Sequence, residues 1–322
     1  DDDIVVGTHG RSFWILDDIT PLRQLTPELI KSSTIFYSPQ MSYRVRWNMN
    51  TDTPIPQEEP AGQNPPDGAI INYYLNDHSD DVTLDIRDSK FKLIRHYSSL
   101  LDTFYKIPAD NTPAYWIRPQ EIISSQPGSH RFTWDMHYQP LNITPSYPIA
   151  AIYMNTAPNE TSPWVMPGSY TLYLTIHHSG DMKIYKQQLE IKMDPRVKTS
   201  MAGLQKQHDL SVQCYEARKE CIKTLEEIKN YRAMLRGQMT NPPVTVADEL
   251  NKKDKIAAGF ENTPQNSQEP SFGKLNSSFA SIFNVLQESD TTPTSQTISA
   301  LAIAQKQLQE LKAKWAVLKD NK

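Results

Sequence analysis

The sequence has little cysteine, little glycine and no long apolar run. Its 322 residues include two cysteines and 11 glycines, against 24 prolines. No apolar stretch approaches the roughly 18 residues that a membrane-spanning helix needs, so the sequence gives no sign of an integral membrane protein. The net charge is −4, and no basic stripe interleaved with aromatic residues occurs, which argues against a nucleic-acid-binding surface.

What is present is typical of a folded protein with many loops. Hydrophobic residues make up 38% and charged residues 22% of the chain. This proportion of hydrophobic residues is higher than that of a disordered protein. A chain of 322 residues is long enough for two or three domains. The pattern of apolar residues divides it into four regions.

The two cysteines, Cys214 and Cys221, lie seven residues apart in a strongly helical segment. On one helix, that spacing gives a rise of about 10 Å, which is too long for a disulfide but places both side chains on one face. Only His208 is close enough in sequence to join them as a metal ligand. We therefore expect two thiols buried in a core or an interface, and no metal site.

The first region, residues 1–47, begins with two short apolar runs, Ile4–Val6 and Phe13–Leu16, on either side of Gly10. Two short strands around a glycine turn predict a β-hairpin. Further strands are predicted in STIFYSP and SYRVRW. The second region, residues 48–68, is rich in Pro, Asn, Asp and Gly, and we interpret it as a linker.

The third region, residues 69–196, has alternating apolar and polar residues. In VTLDIRD, the apolar residues share one face of a strand, and a long hairpin follows in GSYTLYLTIHHSGDMKIYKQQLEIKM. About six or seven short strands predict an antiparallel β-sandwich of the immunoglobulin or fibronectin type III kind. Two long connections, roughly residues 99–130 and 139–167, are expected to pack on another part of the protein.

In the fourth region, residues 197–322, the periodicity becomes helical. Apolar residues three, four and seven positions apart predict helices over residues 200–236, 272–287 and 294–319. Thr199 or Ser200 is a suitable N-cap for the first of them. Because such amphipathic helices need partners, we expect a small antiparallel helical bundle.

The opening stretch, IVVGTHGRSFWILDD, resembles the last two strands of a β-propeller blade in sortilin-like and bacterial neuraminidase-type repeat proteins. PAGQNPPDGAIINYYL, VTLDIRDSKFKLIRHYSS, GSHRFTWDMHYQP, VMPGSYTLYLTI and LEIKMDPRVKTS are similar, in this order, to the region that follows the propeller in large bacterial sortilin-like proteins, often labelled glycosyl hydrolases. The resemblance covers roughly residues 1–215. It implies that residues 1–47 are final propeller strands of a larger polypeptide. The repeat motif with Ser, Asp, Gly, Thr and Trp is absent, so no propeller active site is assigned.

Two pairs of polar residues could carry chemistry, and each has a simpler structural interpretation. His9 and Arg11 flank the glycine of the hairpin turn and are expected to lie on the rim of a blade. Asp135 and His137 are two apart in a predicted strand and share one face, while Trp134 would point into the core. No nucleophile or oxyanion motif accompanies this pair, so we interpret it as part of a solvated strand face.

Metal binding and glycoside hydrolysis have no specific signal either. His177 and His178 adjoin a hairpin turn with Asp181, but adjacent histidines on a strand point to opposite faces. A glycosidase needs two carboxylates roughly 5 to 10 Å apart across a cleft. The sequence context selects none of the following candidates: Asp17, Asp18, Glu58, Glu59, Asp67 and Asp135. We therefore predict no catalytic residue, no metal and no cofactor.

The two long connections carry aromatic residues among many prolines, namely Tyr115, Trp116, Tyr138, Tyr147, Tyr153 and Trp164. Such residues either fill the seam between a sandwich and a neighbouring propeller or stack on sugar rings. We favour the seam. If sugar is bound, Trp116, Tyr153 and Trp164 are the candidate carbohydrate-binding residues.

Together, these observations predict a multidomain protein that is mainly β, with a helical part at its C-terminal end. The expected function is that of a non-catalytic accessory region of a larger bacterial propeller protein. The sandwich would brace the upstream propeller, and the helical tail would dock on it or on a partner, either a carbohydrate or another protein. The resemblance implies a periplasmic, secreted or cell-surface location. Two alternatives stay open: a glycoside hydrolase with the sandwich loops lining its cleft, or a carbohydrate-binding module in residues 69–196.

Overall fold

The computed structural model describes residues 2–46, 66–101, 113, 119–143, 161–239, 243–264 and 266–320. The chain divides into two compact units, Asp1–Val197 and Lys198–Lys322. This division lies one residue from the place where the sequence pattern changes from β to helical. Most of the predicted linker lies outside the described residues, as do Trp116 and Tyr153.

Within its described part, the first unit forms strands and two short helices. They are, in order, β1 (Ile4–Gly7), β2 (Phe13–Leu16), α1 (Thr20–Gln24), α2 (Pro27–Ile30), β3 (Thr34–Phe36), β4 (Ser42–Arg44), β5 (Ala69–Leu75), β6 (Asp81–Arg87), β7 (Leu93–Ser98), β8 (Gly128–Trp134), β9 (Gly168–His178) and β10 (Asp181–Met193). One sheet has the strand order β4-β10-β9-β6-β7 and a second has the order β3-β5-β8, while β1 and β2 pair with each other.

The two larger sheets contribute to one hydrophobic core. Val82, Leu84 and Ile86 of β6 are fully buried, and the residues between them face outward, as the two-residue period of a strand requires. Ile71 and Trp134 of the smaller sheet are also fully buried and belong to the same packed cluster. The alternation and the core position of Trp134 that the sequence predicts are confirmed.

The structure places residues 34–44 differently from the sequence analysis, which grouped them with the opening hairpin. β3 pairs antiparallel with β5, and β4 pairs in parallel with the end of β10. Both strands therefore extend the sheets formed by residues 69–193, and Phe36 buries its side chain in their shared core. The five-stranded sheet is consequently mixed, whereas the sequence predicted an antiparallel one. A local apolar pattern indicates a strand but does not specify the strand it will pair with.

The opening hairpin forms as predicted, and a buried carboxylate holds its base on the smaller sheet. Asp18 follows β2 with φ of 53°. Its carboxylate accepts hydrogen bonds from Gln40 Nε2 at 3.0 Å and from Asn72 Nδ2 at 2.9 Å. Arg131 of β8 donates from Nη2 to the carbonyl oxygens of Asp17 and Asp18, at 2.6 and 3.1 Å. These contacts tie the chain after β2 to β5 and β8.

The second unit is helical in its described residues and consists of α3 (Met201–Gln238), α4 (Val244–Glu261), α5 (Phe272–Gln287) and α6 (Ser295–Asp320). The three predicted helices are confirmed, and the Ser200 hydroxyl caps α3 by accepting from the main-chain N–H of Gly203 at 3.2 Å. α4 is a helix that the apolar pattern of the sequence did not predict. Among the described side chains of α4, Ala257 is fully buried and most others are not, so the segment lacks a wide apolar stripe. None of the described helices is long and apolar enough to cross a membrane.

The core of the second unit follows a seven-residue repeat. The buried residues seven positions apart are Gln207, Cys214, Cys221, Ile228 and Leu235 in α3, Phe272, Phe279 and Leu286 in α5, and Leu301, Leu308 and Trp315 in α6. This repeat is typical of helices that pack side by side as in coiled coils.

Side-chain contacts between the helices give their directions. Glu220 of α3 contacts Lys312 of α6, and Glu227 of α3 contacts Lys319 of α6 at 3.0 Å. From the first pair to the second, the residue number rises by seven on both helices. α3 and α6 are therefore parallel. Gln207 donates to the carbonyl oxygen of Leu286 at 2.5 Å, while other contacts link later residues of α3 to earlier residues of α5, so these two helices are antiparallel. The helices pack around one core, as predicted, but α3 and α6 are parallel, whereas the sequence predicted an antiparallel bundle.

Candidate functional site

Trp164 contacts two other segments of the first unit, namely the end of β4 with the residues just after it and the turn that follows β8. Its indole packs edge-on against the imidazole of His137, with ring centroids 4.5 Å apart, and the two residues form an isolated antiparallel bridge. The guanidinium carbons of Arg44 and Arg46 lie 5.4 and 5.3 Å from the indole centroid, within the range of a cation–π contact. Arg44 is itself buried and donates from Nη1 to the carbonyl oxygen of Val165 at 2.8 Å.

These contacts bear on the candidate carbohydrate-binding residues. Trp164 is half-buried, and its ring is held by two guanidinium groups and an imidazole of its own unit. Such an environment fits an aromatic residue that fills a seam within the protein. Trp116 and Tyr153 lie outside the described residues. Sugar binding by these three residues therefore stays a prediction.

Asp135 and His137 follow β8 instead of lying in it, which corrects the strand predicted through them. Met136, between them, has φ of 58° and turns the chain. The main-chain N–H of His137 donates to Asp135 Oδ1 at 3.0 Å, and His137 Nδ1 lies 2.7 Å from the carbonyl oxygen of Asp135. Trp134 Nε1 donates to the carbonyl oxygen of His137 at 3.0 Å. The pair thus forms a hydrogen-bonded turn.

The imidazole of His137 is in a desolvated and positively charged setting. Its side chain is 16% exposed, so the predicted solvated face is wrong for this residue. Burial lowers the pKa of His137, and Arg95 and Arg44 lower it further, against the opposing effect of Asp135. The neutral imidazole is therefore the stable form at pH 7. Its contacts are those of a packed side chain.

Arg95 holds the segment after β8 against β7. It is buried and donates from Nη1 to the carbonyl oxygen of Tyr138 at 2.8 Å, while its Nη2 lies 3.5 Å from the carboxylate of Glu121. Its guanidinium also lies 4.8 Å from the ring centroid of Tyr97. Burial raises the pKa of Tyr97 well above its usual range, so this phenol stays protonated. The contacts of Arg95 therefore hold the segments around Glu121 and Tyr138 against β7.

The carboxylates that could serve a glycosidase have different environments. Asp18 is buried and accepts hydrogen bonds from side chains and from the main chain of Thr20, so its charge is used to hold the hairpin base. Asp17 is half-buried and Asp67 is exposed. Glu58 and Glu59 lie outside the described residues.

The histidines near the β9–β10 turn have structural partners. His178 Nδ1 lies 2.9 Å from the carbonyl oxygen of His78, and the main-chain N–H of Ser179 donates to Asp80 Oδ2 at 2.7 Å. Ser179 and Gly180 both have positive φ, as a tight hairpin turn requires. In the described part of the chain, no group of three or more His, Cys, Asp or Glu side chains is placed to hold a metal ion. His9 and Arg11 are exposed in the first hairpin turn.

Both cysteines are fully buried in the core of the second unit, as the sequence predicts. Burial raises the pKa of Cys214 and of Cys221 to about 12, and nearby Arg218 only partly opposes this effect. Since the thiolate is the nucleophile and the metal-binding form, both thiols are unreactive at neutral pH.

Three cations of this region, Arg44, Arg46 and Arg95, were not predicted as site residues from the sequence. A signal was available for two of them, because the spacing of two in SYRVRW places both arginines on one face of an extended segment. Their aromatic partner lies more than a hundred residues away in the chain, and no local pattern identifies it.

Comparison with models of known protein families gives no match for this chain, and comparison with curated proteins gives none either. The likeness of the sequence to sortilin-like proteins therefore stays a prediction.

Proposed function

We propose that this chain is a non-catalytic accessory and interaction region of a larger extracytoplasmic β-propeller protein. In this proposal, β1 and β2 are the last strands of a propeller blade, and the two larger sheets form an immunoglobulin- or fibronectin-like sandwich that braces it. The helical unit docks on the propeller or on a partner. One observation carries the proposal, namely the exposure of the opening hairpin.

The hairpin β1–β2 is apolar on both faces, and both faces are exposed. The exposed fraction is 62% for Val5, 77% for Phe13, 67% for Trp14 and 62% for Ile15. Strands that are apolar on both faces are usually buried on both faces. Contiguous exposed apolar surface of this kind marks an interaction site. An isolated two-stranded hairpin is also only marginally stable in water.

The base of the hairpin is fixed, which supports a bracing role. The main-chain N–H of Ile19 donates to the carbonyl oxygen of Asp2 at 2.7 Å, and that of Asp18 donates to Asp3 Oδ1 at 2.9 Å. Arg23 Nη1 lies 2.7 Å from Asp2 Oδ1. These three contacts join the chain before β1 to the chain after β2 and so close the base of the hairpin.

Amide hydrogen exchange tests this proposal. It compares this chain with the polypeptide extended by the sequence that its gene encodes upstream. We expect the amides of β1 and β2 to exchange slowly only in the longer polypeptide, because neighbouring strands then protect the hairpin. The β9–β10 hairpin is the internal control, since its amides should be protected in both. Equal exchange of β1 and β2 in the two polypeptides, or a gene that begins at Asp1, would refute the proposal.

A further inference from the structure

The main-chain groups of β10 point alternately toward β9 and away from it. Because a tight turn joins the two strands, His178 and Asp181 form their first hydrogen-bonded pair. Odd-numbered residues of β10 therefore direct their N–H and C=O groups toward β9, and even-numbered residues direct theirs to the opposite side. β4 occupies that opposite side only at the end of β10, where the N–H of Asp194 also donates to the carbonyl oxygen of Arg44 at 3.2 Å.

The first half of β10 is consequently an open edge of the five-stranded sheet. β4 pairs with residues 191–193, whereas the outward main-chain groups of Met182, Ile184 and Lys186 have no hydrogen-bond partner within the described part of the chain. Met182 and Ile184 are also apolar, and their exposed fractions are 59% and 58%. An exposed edge strand with unpaired main-chain groups and apolar side chains is a template for pairing with another strand.

The two ends of the open edge select a strand that fits it. The edge lies between the tight turn at Gly180 and the residues paired with β4, and Ile184 lies near its middle. A second copy of β10, antiparallel and related by a two-fold axis through Ile184, would place Met182 opposite Lys186 of the other copy. The turn of each copy would then end before it reached the β4 of the other. This register uses the whole open edge and displaces no strand.

The side chains of β10 are compatible with this register. On the face away from the core, the two Ile184 side chains meet at the axis, and Met182 lies against the methylene groups of Lys186. On the other face, Lys183 lies opposite Tyr185, so no two like charges are directly opposite each other. Moving the axis one residue toward the turn would place the two Lys183 side chains opposite each other. Moving it one residue the other way would bring the turn of one copy onto the β4 of the other.

We propose that two copies of this chain associate through the open edge of β10 and join their five-stranded sheets into one. Because a two-fold axis relates the copies, the contact is closed and association stops at the dimer. About six main-chain hydrogen bonds and a small apolar contact make a smaller interface than the roughly 800 Å² per partner of a stable complex, so the dimer is reversible. The proposal is independent of the accessory role, which concerns β1 and β2.

Sedimentation equilibrium and residue-resolved amide exchange of the intact chain test the proposal. We expect a monomer–dimer equilibrium with a dissociation constant of about 10–100 µM. Well above that concentration, the amides of Met182, Ile184 and Lys186 should exchange about fivefold more slowly than in the monomer, whereas those of Lys183 and Tyr185, which point toward β9, should not change. A chain that stays monomeric overturns the proposal. Protection of the three amides at every concentration also overturns it, because another part of the chain then covers the edge.

Matched variants distinguish this edge from other exposed apolar surfaces. Ile184→Lys places two like charges at the axis and should weaken dimerisation about tenfold or more, whereas Ile184→Val should keep it. Val5→Lys, on the opening hairpin, and Leu100→Lys, at another exposed position, are the controls and should leave the dissociation constant unchanged. Unfolding temperatures equal to that of the unmodified chain show that the variants are folded. A dimer that survives Ile184→Lys, or that only Val5→Lys abolishes, contradicts the assignment.

Discussion

At the scale of the single residue, Gly68 is the position where a side chain is least tolerated. It has φ of +146° just before β5, and a Cβ atom there would lie 2.3 Å from the carbonyl oxygen of Trp134. We expect Gly68→Ala to lower the free energy of unfolding by more than the about 1–3 kcal/mol of a strained φ alone. Gly168→Ala is the control, because Gly168 has φ of +154° with no atom within 4 Å of the added Cβ. Urea denaturation measures both, and equal losses would contradict the clash.

Protonation of His137 should make the stability of the first unit fall at acidic pH. Because burial lowers the pKa of His137 in the folded state, the unfolded state binds more protons as the pH falls below about 6.5. The free energy of unfolding should therefore decrease from pH 7.5 to pH 5, by at most about 1.4 kcal/mol per pH unit from this residue.

The variant His137→Gln isolates the contribution of this imidazole. Its free energy of unfolding, measured by urea titration at several pH values, should change less between pH 7.5 and 5 than that of the unmodified chain. His9→Gln, in an exposed turn, is the control and should keep the original slope. A slope that is unchanged in His137→Gln would show that the imidazole is not desolvated.

At the scale of the element, Asp18 decides whether the opening hairpin is held on the smaller sheet. Replacing it with alanine leaves the buried amide of Asn72 without its acceptor, which costs about 1–3 kcal/mol. We expect Asp18→Ala to lower stability by this amount and to speed amide exchange in β1 and β2. Asp17→Ala is the control, since Arg131 contacts the carbonyl oxygen of Asp17. Unchanged exchange in Asp18→Ala would contradict the anchoring role.

Ion pairs mark the parallel register of α3 and α6, and we expect them to contribute little stability. Glu227 and Lys319 are each about two-fifths exposed, so solvent screens their attraction. We expect Lys319→Glu to cost about 0.5 kcal/mol and the double exchange, Glu227→Lys with Lys319→Glu, to restore it. A double-mutant cycle from thermal unfolding measures the coupling energy. Absence of recovery in the double variant would contradict a parallel register.

Elements with a wide apolar stripe or strict alternation were predictable from the sequence. This class contains the helices α3, α5 and α6 and the strands β6, β9 and β10. Their predicted limits lie close to those in the structure. α4 was missed because few of its described side chains are buried, so its sequence shows no wide apolar stripe, and its Asp254 contacts Arg232 at 2.8 Å. The partners of β3 and β4, and the Arg44 and Arg46 contacts with Trp164, depend on long-range packing that no local pattern records.

At the scale of the whole molecule, the two units have separate hydrophobic cores. The core of the second unit is built only from residues after 197, through the seven-residue repeat of α3, α5 and α6. A segment of this length with its own core is large enough to fold alone. We therefore expect residues 198–322, expressed alone, to be helical and to unfold cooperatively.

Circular dichroism during heating tests the independence of the second unit. The isolated segment should show a single sharp loss of helical signal, because α3, α5 and α6 stabilise one another through buried aromatic and aliphatic side chains. Phe279→Asp, at a fully buried position of α5, should abolish the transition, whereas Ser281→Asp, on the exposed side of the same helix, should keep it. A gradual loss of signal in the unmodified segment would mean that the seven-residue core is insufficient and that the helices need the first unit in order to fold.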